Sequence, residues 1–303
     1  MPTVSVVIAA YNVERTLGAV LEALSEQERP PDEIIVVDDR STDRTPAIAE
    51  QFGARVVRTA KPGYAGGARN TGWDHTTGDV IVFMDADIIP APGWGAGLDR
   101  ALEEFPNAVI GCALTFDPIS GWDWIGHFQT MTPYLPNGAP RQLGALCSGC
   151  LAVPREAPLR WDESYGGEDG VFSAEALAAG LPLVFDPRFS VEHRAQRARF
   201  GDLRAQQQRI AYGLARCAPI QREGRHKHIL VRVPAYFALV RLPLMYRRVR
   251  SDRRLRSAFL RLLPQLIVGE WAMGLSALRY ALFRPPLEGE AGGFRRSAAP
   301  AAE

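Results

Sequence analysis

The sequence predicts an α/β protein, a mostly parallel open sheet flanked by helices and followed by a C-terminal amphipathic helical appendage. Over the first 110 residues, short β-branched runs alternate with stretches of helical period, the pattern of parallel strands joined by crossover helices. Charge is also divided along the chain. Residues 1–228 hold 22 Lys and Arg against 29 Asp and Glu, whereas residues 229–284 hold 11 Arg against 2 acids.

The elements follow in order. Residues 4–8 (VSVVI) read as a buried strand. Asn12 stands at an N-cap position, and Leu17, Val20, Leu21 and Leu24 recur at helical spacing, so a helix is expected to about residue 27, where Pro30 and Pro31 end it. A strand at residues 33–37, a cap at Ser41, Thr42 and Asp43 opening a second helix, and a strand at 54–58 come next. A glycine-rich loop, a short helix at 68–75 and a strand at 80–84 complete four strands with three crossovers. Beyond Pro90 the sequence predicts a helix at 94–104, a strand at 109–114 and a long irregular stretch containing Trp122, Trp124, Pro133 and Pro136. A helix at 170–179, a strand at 182–185 and a helix at 200–217 return the chain to the core. The expected division is a body over 1–227, a basic helical region over 228–284 and a disordered Pro-, Gly- and Ala-rich tail over 285–303.

Composition narrows the function. With 303 residues, 47% apolar and 23% charged, the chain is globular. An acidic body argues against nucleic acid as a partner, while the basic appendage suits an anionic surface. Four cysteines are too few for a disulfide framework at this length, which suggests reduced thiols. The apolar run at residues 4–10 is too short for a leader or a span, so export is not expected. P-loop, dinucleotide, hydrolase-elbow and zincin motifs are absent.

Ligands of open parallel sheets bind outside the carboxyl ends of the strands. Here three expected strands end in distinctive polar groups: Ala9 to Asn12, residues 38–43 (DDRSTD), and Asp85-Ala86-Asp87. Asp85 and Asp87 project the same way, so both can serve one divalent cation that keeps positions open for a phosphate. Asp39 can accept a hydrogen bond from a base N–H. Arg69 follows two glycines that let backbone approach a diphosphate. Asp169, beside Glu168 and after Gly166 and Gly167, is a candidate general base. His193 is a candidate further metal ligand, and Cys147 and Cys150 read as two small buried residues rather than a metal or redox pair.

Residues 4–12 (VSVVIAAYN), 38–45 (DDRSTDRT), 68–70 (ARN), 78–79 (GD), 85–87 (DAD) and 167–169 (GED), in this order and spacing, resemble the family 2 nucleotide-diphospho-sugar glycosyltransferases with the GT-A fold, over roughly residues 2–195. The resemblance implies an inverting, metal-dependent transfer of a sugar from a nucleotide diphosphate, UDP foremost, to a glycan or lipid-linked acceptor, in cell-envelope or extracellular polysaccharide or glycolipid synthesis. It also implies the roles. Ala9, Tyr11 and Glu14 would line the nucleotide pocket, and Asp39 would bind the base. Arg69 would lie near the diphosphate, and Asp85 with Ala86 near the ribose. Asp87, with Asp85 and His193, would hold Mg or Mn, Asp169 would deprotonate the acceptor hydroxyl, and Glu168 would position it. Residues 148–152 (SGCLA) resemble an acceptor-side lining. Residues 158–165 (PLRWDESY) depart from the Gly-Gly-Phe-Asp-like stretch of relatives. A sugar-1-phosphate nucleotidyltransferase and a nucleotide-sugar-binding scaffold without chemistry are the alternatives.

In the appendage, residues 247–256 contain six arginines and one acid. Residues 262–283 have the length of a span, but a central Glu270 costs roughly 2.5–3.5 kcal/mol in a bilayer, so a helix lying on the inner face of a cytoplasmic membrane is expected. The other reading packs these helices on the body or on a second copy in a homo-oligomer.

Overall fold

The computed structural model describes residues 1–60, 64–164, 166–194, 199–220 and 236–283, without the side chains of 214–220, 238 and 281. A nine-stranded mixed sheet lies between helical layers. The four expected parallel strands form one half: β1 (Val4–Ala10) pairs with β2 (Glu33–Asp38) and β4 (Val80–Asp85), and β3 (Arg55–Arg58) pairs with β2. The crossovers are α1 (Leu17–Ser25), α2 (Thr45–Gln51) and α3 (Ala65–Trp73). Leu17, Val20, Leu21 and Leu24, the expected stripe of α1, are all buried.

Alternation along β1 and β4 divides the core. Val4, Val6, Ile8, Val80, Val82 and Met84 face one apolar layer, and Val7, Ile81 and Phe83 face the other. The second layer is built on aromatic contacts: Phe83 meets Trp73 at 5.3 Å and Trp161 at 5.1 Å, and Trp161 stacks on Phe172 at 4.2 Å.

The other half of the sheet departs from the parallel pattern. After β5 (Ile88–Pro90), α4 (Trp94–Glu104) and β6 (Val109–Thr115), the chain forms α5 (Gly121–Met131), a 3₁₀ turn at Thr132–Tyr134 and β7 (Arg141–Gln142). It continues through β8 (Cys150–Pro154), α6 (Glu168–Ala178) and β9 (Leu183–His193). β8 inserts antiparallel between β4 and β6, and β9 runs parallel to β6 but antiparallel to β5 and β7.

Several local expectations are corrected. Residues 121–131 are helical, because Ser120 caps α5 by accepting the Asp123 N–H at 3.1 Å and the helix buries Ile125 and Phe128. Asn12 is not an N-cap. Its φ is +50°, its side chain accepts the Thr42 N–H at 2.9 Å, and α1 begins only after Thr16. The second helix opens later than residues 41–43, after Arg44. The strand expected at 182–185 runs on to His193.

The C-terminal helices are α7 (Phe200–Ile220), α8 (Leu242–Val249, after a π-turn at Phe237–Arg241), α9 (Arg253–Arg261) and α10 (Leu263–Phe283). Leu242, Met245, Phe259 and Leu266 join the same apolar layer as Leu17 and Phe128, so these helices pack on the body. Among the described residues no helix is long and apolar enough to cross a membrane. Glu270, the acid expected to disfavour a span, is wholly buried, donated to by Gln129 at 3.1 Å and lying 3.4 Å from Arg241. The expected domain boundary at 227 and the tail over 285–303 lie outside the described residues.

Candidate active site

Sheet register places the first carboxylates. Ala9 of β1 lies between Val37 of β2 and Asp85 of β4, so the ends of three neighbouring strands open onto one rim. Asp39 is held there by its N–H on the Ala10 carbonyl, 2.8 Å, and accepts the Thr59 hydroxyl at 2.7 Å. Asp38 turns the other way and accepts the Ser41 N–H at 2.8 Å. Tyr11 is half-buried and Ala86 buried at this rim, whereas Glu14 is exposed and ties two loops by accepting the Arg44 N–H at 3.1 Å.

The centre is Arg69, whose side chain is only 3% exposed. It donates to Asp85 at 2.7 Å, to Glu168 at 3.2 Å and to the Ser148 hydroxyl at 3.2 Å, and lies over the Trp161 ring at 4.5 Å. A buried guanidinium left unpaired costs several kcal/mol. Here burial works against the charge, but Asp85 and then Glu168 outweigh it, and the Arg69 pKa is raised. The neighbouring residue supplies the anchor: Asn70 exchanges two hydrogen bonds with the Trp161 backbone, each 2.9 Å, which fixes α3 against the segment before α6. Gly66 makes this approach possible, since a Cβ there would sit 2.0 Å from the Asp162 carbonyl oxygen.

Asp169 enters from the first turn of α6. The preceding Gly167 has φ +80°, and a Cβ on it would meet the Cα of Gly213 in α7 at 2.4 Å. Burial, then the Glu168 charge, push the Asp169 carboxyl up to about 6, against the Gly170 N–H that it accepts at 2.8 Å. Asp85 adds to this rise, and Asp85 is itself raised by burial and, after the opposing pull of Arg69, by Asp87. Asp85, Asp87, Glu168 and Asp169, distant in sequence, therefore share one field. Their surplus of negative charge over Arg69 makes the rim a place for a cation.

The donor set fits a divalent ion. Asp87 Oδ2 and His193 Nε2 face each other at 3.9 Å, a hard oxygen and an imidazole nitrogen. Asp85 Oδ1 is engaged by Arg69, and among the described residues no three His, Cys, Asp or Glu side chains form one metal-holding group.

Ser148 and Cys150 are buried and Cys147 partly so, and Cys112, Cys147 and Cys150 are free thiols. Burial raises Cys147 to about 12, with Asp169 adding to it, so this thiol is unreactive beside the site. Thr59 had no motif to announce it, and Ser148 and Trp161, within the stretches 148–152 and 158–165, carried no sign of Arg69 as a partner; these contacts exist only once Asp39 and Arg69 lie beside them. A cavity of about 350 Å³ at the opposite ends of β6 and β9, lined by Phe105, Arg141 and Pro182, contains none of the expected site residues.

Comparison with known proteins agrees with this architecture. A mannosyltransferase from Pyrobaculum calidifontis, solved in complex with GDP-Man and Mn2+, aligns over 94% of this chain and 88% of its own with a TM-score of 0.62 at 18% identity, a likeness of fold. Glucosyl-3-phosphoglycerate synthase from Mycobacterium tuberculosis, solved with Mn2+, UDP and glucosyl-3-phosphoglycerate, aligns over 71% of this chain and 80% of its own with a TM-score of 0.51 at 25% identity. An uncharacterized glycosyltransferase from a Nostoc species is 33% identical over 126 residues, 40% of this chain and 38% of that protein. The chain thus matches little more than a third of the length of that relative. The model of Glycosyl transferase family 2 matches residues 5–159, half of the sequence and the part that carries Asp39, Arg69, Asp85 and Asp87, and the chain belongs to that family.

Proposed function

We propose that the chain is a metal-dependent inverting glycosyltransferase that moves a sugar from a nucleotide diphosphate, a UDP-sugar first among donors, to an acceptor hydroxyl of a glycan or lipid-linked acceptor in cell-envelope synthesis. The observation that carries this reading is the Arg69 bridge, 2.7 Å to Asp85 on the strand-end side and 3.2 Å to Glu168 on the α6 side. One buried cation joins the side suited to a nucleotide diphosphate to the side suited to an acceptor. Mn2+ and UDP in the glucosyl-3-phosphoglycerate synthase complex support the donor class and the metal.

Each residue has work in this scheme. Asp39 accepts from the nucleobase, and Asp87 with His193 would hold the divalent ion, whose chemistry is to offset charge on the departing diphosphate. An oxygen-plus-imidazole set leans towards Mn over Mg. Arg69 keeps Asp85 oriented and contributes positive potential near the phosphates. Asp169, raised to about 6, remains mostly ionised at neutral pH yet basic enough to take the acceptor proton as its oxygen attacks. A single base and a single displacement invert the anomeric centre.

Incubation of the full chain with a panel of sugar nucleotides, Mn2+ or Mg2+, and acceptors should release nucleoside diphosphate. Asp169→Asn should lower kcat by about 10²–10⁴ while donor affinity stays near that of the parent. Donor binding without turnover under every condition would instead favour the scaffold alternative, and pyrophosphate exchange would favour the nucleotidyltransferase.

An anionic membrane surface, on the cytoplasmic side, is proposed as the location. Support comes from α10, which turns its acid inwards while part of its apolar surface faces outwards, with Val268 69%, Leu275 56% and Leu282 64% exposed. Exposed arginines on α8 and α9, among them Arg247, Arg253 and Arg256, provide the charge that anionic headgroups match.

A further inference from the structure

We infer that His127, on α5, is a positioning residue that fixes the tautomer of His193 and so aims its Nε2 lone pair at the Asp87 side of the site. His127 is 1% exposed and its ring stacks on Phe116 at 4.6 Å, so its orientation is set by packing. Its Nδ1 lies 2.8 Å from the Asp123 carbonyl oxygen, one helical turn earlier, and 3.3 Å from the Asp123 carboxylate. Both neighbours only accept, so Nδ1 carries the hydrogen. In the neutral ring Nε2 is then an acceptor, and it lies 3.2 Å from His193 Nδ1. His193 therefore donates from Nδ1. In the neutral His193 ring the other nitrogen, Nε2, then keeps the lone pair, and it lies 3.9 Å from Asp87 Oδ2.

The relay from Asp123 through His127 to His193 thus prepares a ligand before any ion arrives, which is what a carboxyl or carbonyl behind a metal-binding imidazole ordinarily does. Here a second histidine performs that task, carried by a helix outside every sequence motif of the site. The inference rests on the proposed metal site, but the tautomer can be read without metal.

The test uses the full chain labelled with ¹⁵N-histidine. Long-range ¹⁵N–¹H spectra of the metal-free protein should show both rings protonated at Nδ1. An Nε2–H tautomer of His193, the state a cationic His127 would impose, overturns the inference. Two variants then separate relay from packing. His127→Phe keeps the ring against Phe116 but removes the acceptor, and His127→Gln keeps an acceptor of similar reach but removes the ring. With UDP present, Mn2+ titration followed by electron paramagnetic resonance should show binding weakened by about 10–100-fold in His127→Phe and close to the parent in His127→Gln. The opposite order, or unchanged binding in His127→Phe, shows that His127 only fills space and overturns the inference. Failure of the parent chain itself to bind Mn2+ with UDP would reject the metal reading, leaving the spectra to judge the relay by themselves.

Discussion

At the scale of the residue, the site works because each charge is held by a neighbour that alters it. Asp169 stands at about 6 for two reasons, burial first and Glu168 second. As a base it must be ionised, so kcat/KM should fall as pH drops through about 6. Replacing the second cause tests the first: Glu168→Gln removes a like charge and should move this acid limb to lower pH, with a smaller kcat at its plateau because Arg69 loses one partner. A pH profile of the variant measures both, and a limb that stays in place would detach Asp169 from the proton transfer. The residues that sequence identified here each occupy a short motif, Asp85, Asp87 and Asp169 at the end of an element and Arg69 within α3. Thr59 and His127 do not, because nothing local distinguishes a threonine or histidine that is paired from one that is not.

At the scale of the element, two contacts decide where the chemistry is presented. α6 begins at Gly167 because only a residue without a Cβ can take φ +80° while lying against Gly213 of α7. Gly167→Ala should cost roughly 1–2 kcal/mol for the left-handed conformation alone, and the added collision should displace Asp169. Thermal melting and kcat measured together should show activity falling more than stability. α10 shows a second dependence. Glu270, buried beside Arg241 and Gln129, has its carboxyl raised to about 7 by burial, from 4.5 in the unfolded chain. Between these values the folded state holds a proton that the unfolded state has lost, so stability should decline as pH rises from about 4.5 to about 7 and stay low above. The full effect is on the order of 3 kcal/mol. Glu270→Gln should flatten that decline and raise the melting temperature at pH 8, as calorimetry across pH would record.

At the scale of the whole molecule, the appendage is both part of the core and the carrier of an outward apolar face. Removing it would expose the layer that Leu242, Phe259 and Leu266 complete, so truncation cannot test membrane attachment cleanly. Surface variants can. Val268→Ser combined with Leu275→Ser, both at exposed positions, should leave melting and turnover of a soluble acceptor unchanged while reducing co-flotation with vesicles containing anionic lipid. Recovery equal to that of the parent chain would remove the proposed membrane role.

The sequence by itself determined the parallel half of the sheet and its acidic strand ends, because β-branched runs, an apolar stripe and turn chemistry are written within a few residues of one another. It therefore already pointed to Asp39, Asp85 and Asp87 at the carboxyl ends of parallel strands. Only the tertiary structure decided that β8 would insert antiparallel beside β4 and bring Ser148 to Arg69, that Arg69 would bridge Asp85 to Glu168, and that Glu270 would turn inwards. Those outcomes depend on pairing and burial between segments as far apart as Gln129 and Glu270, and such partnerships have no local signature: the free energy that selects them arises only when the two surfaces meet.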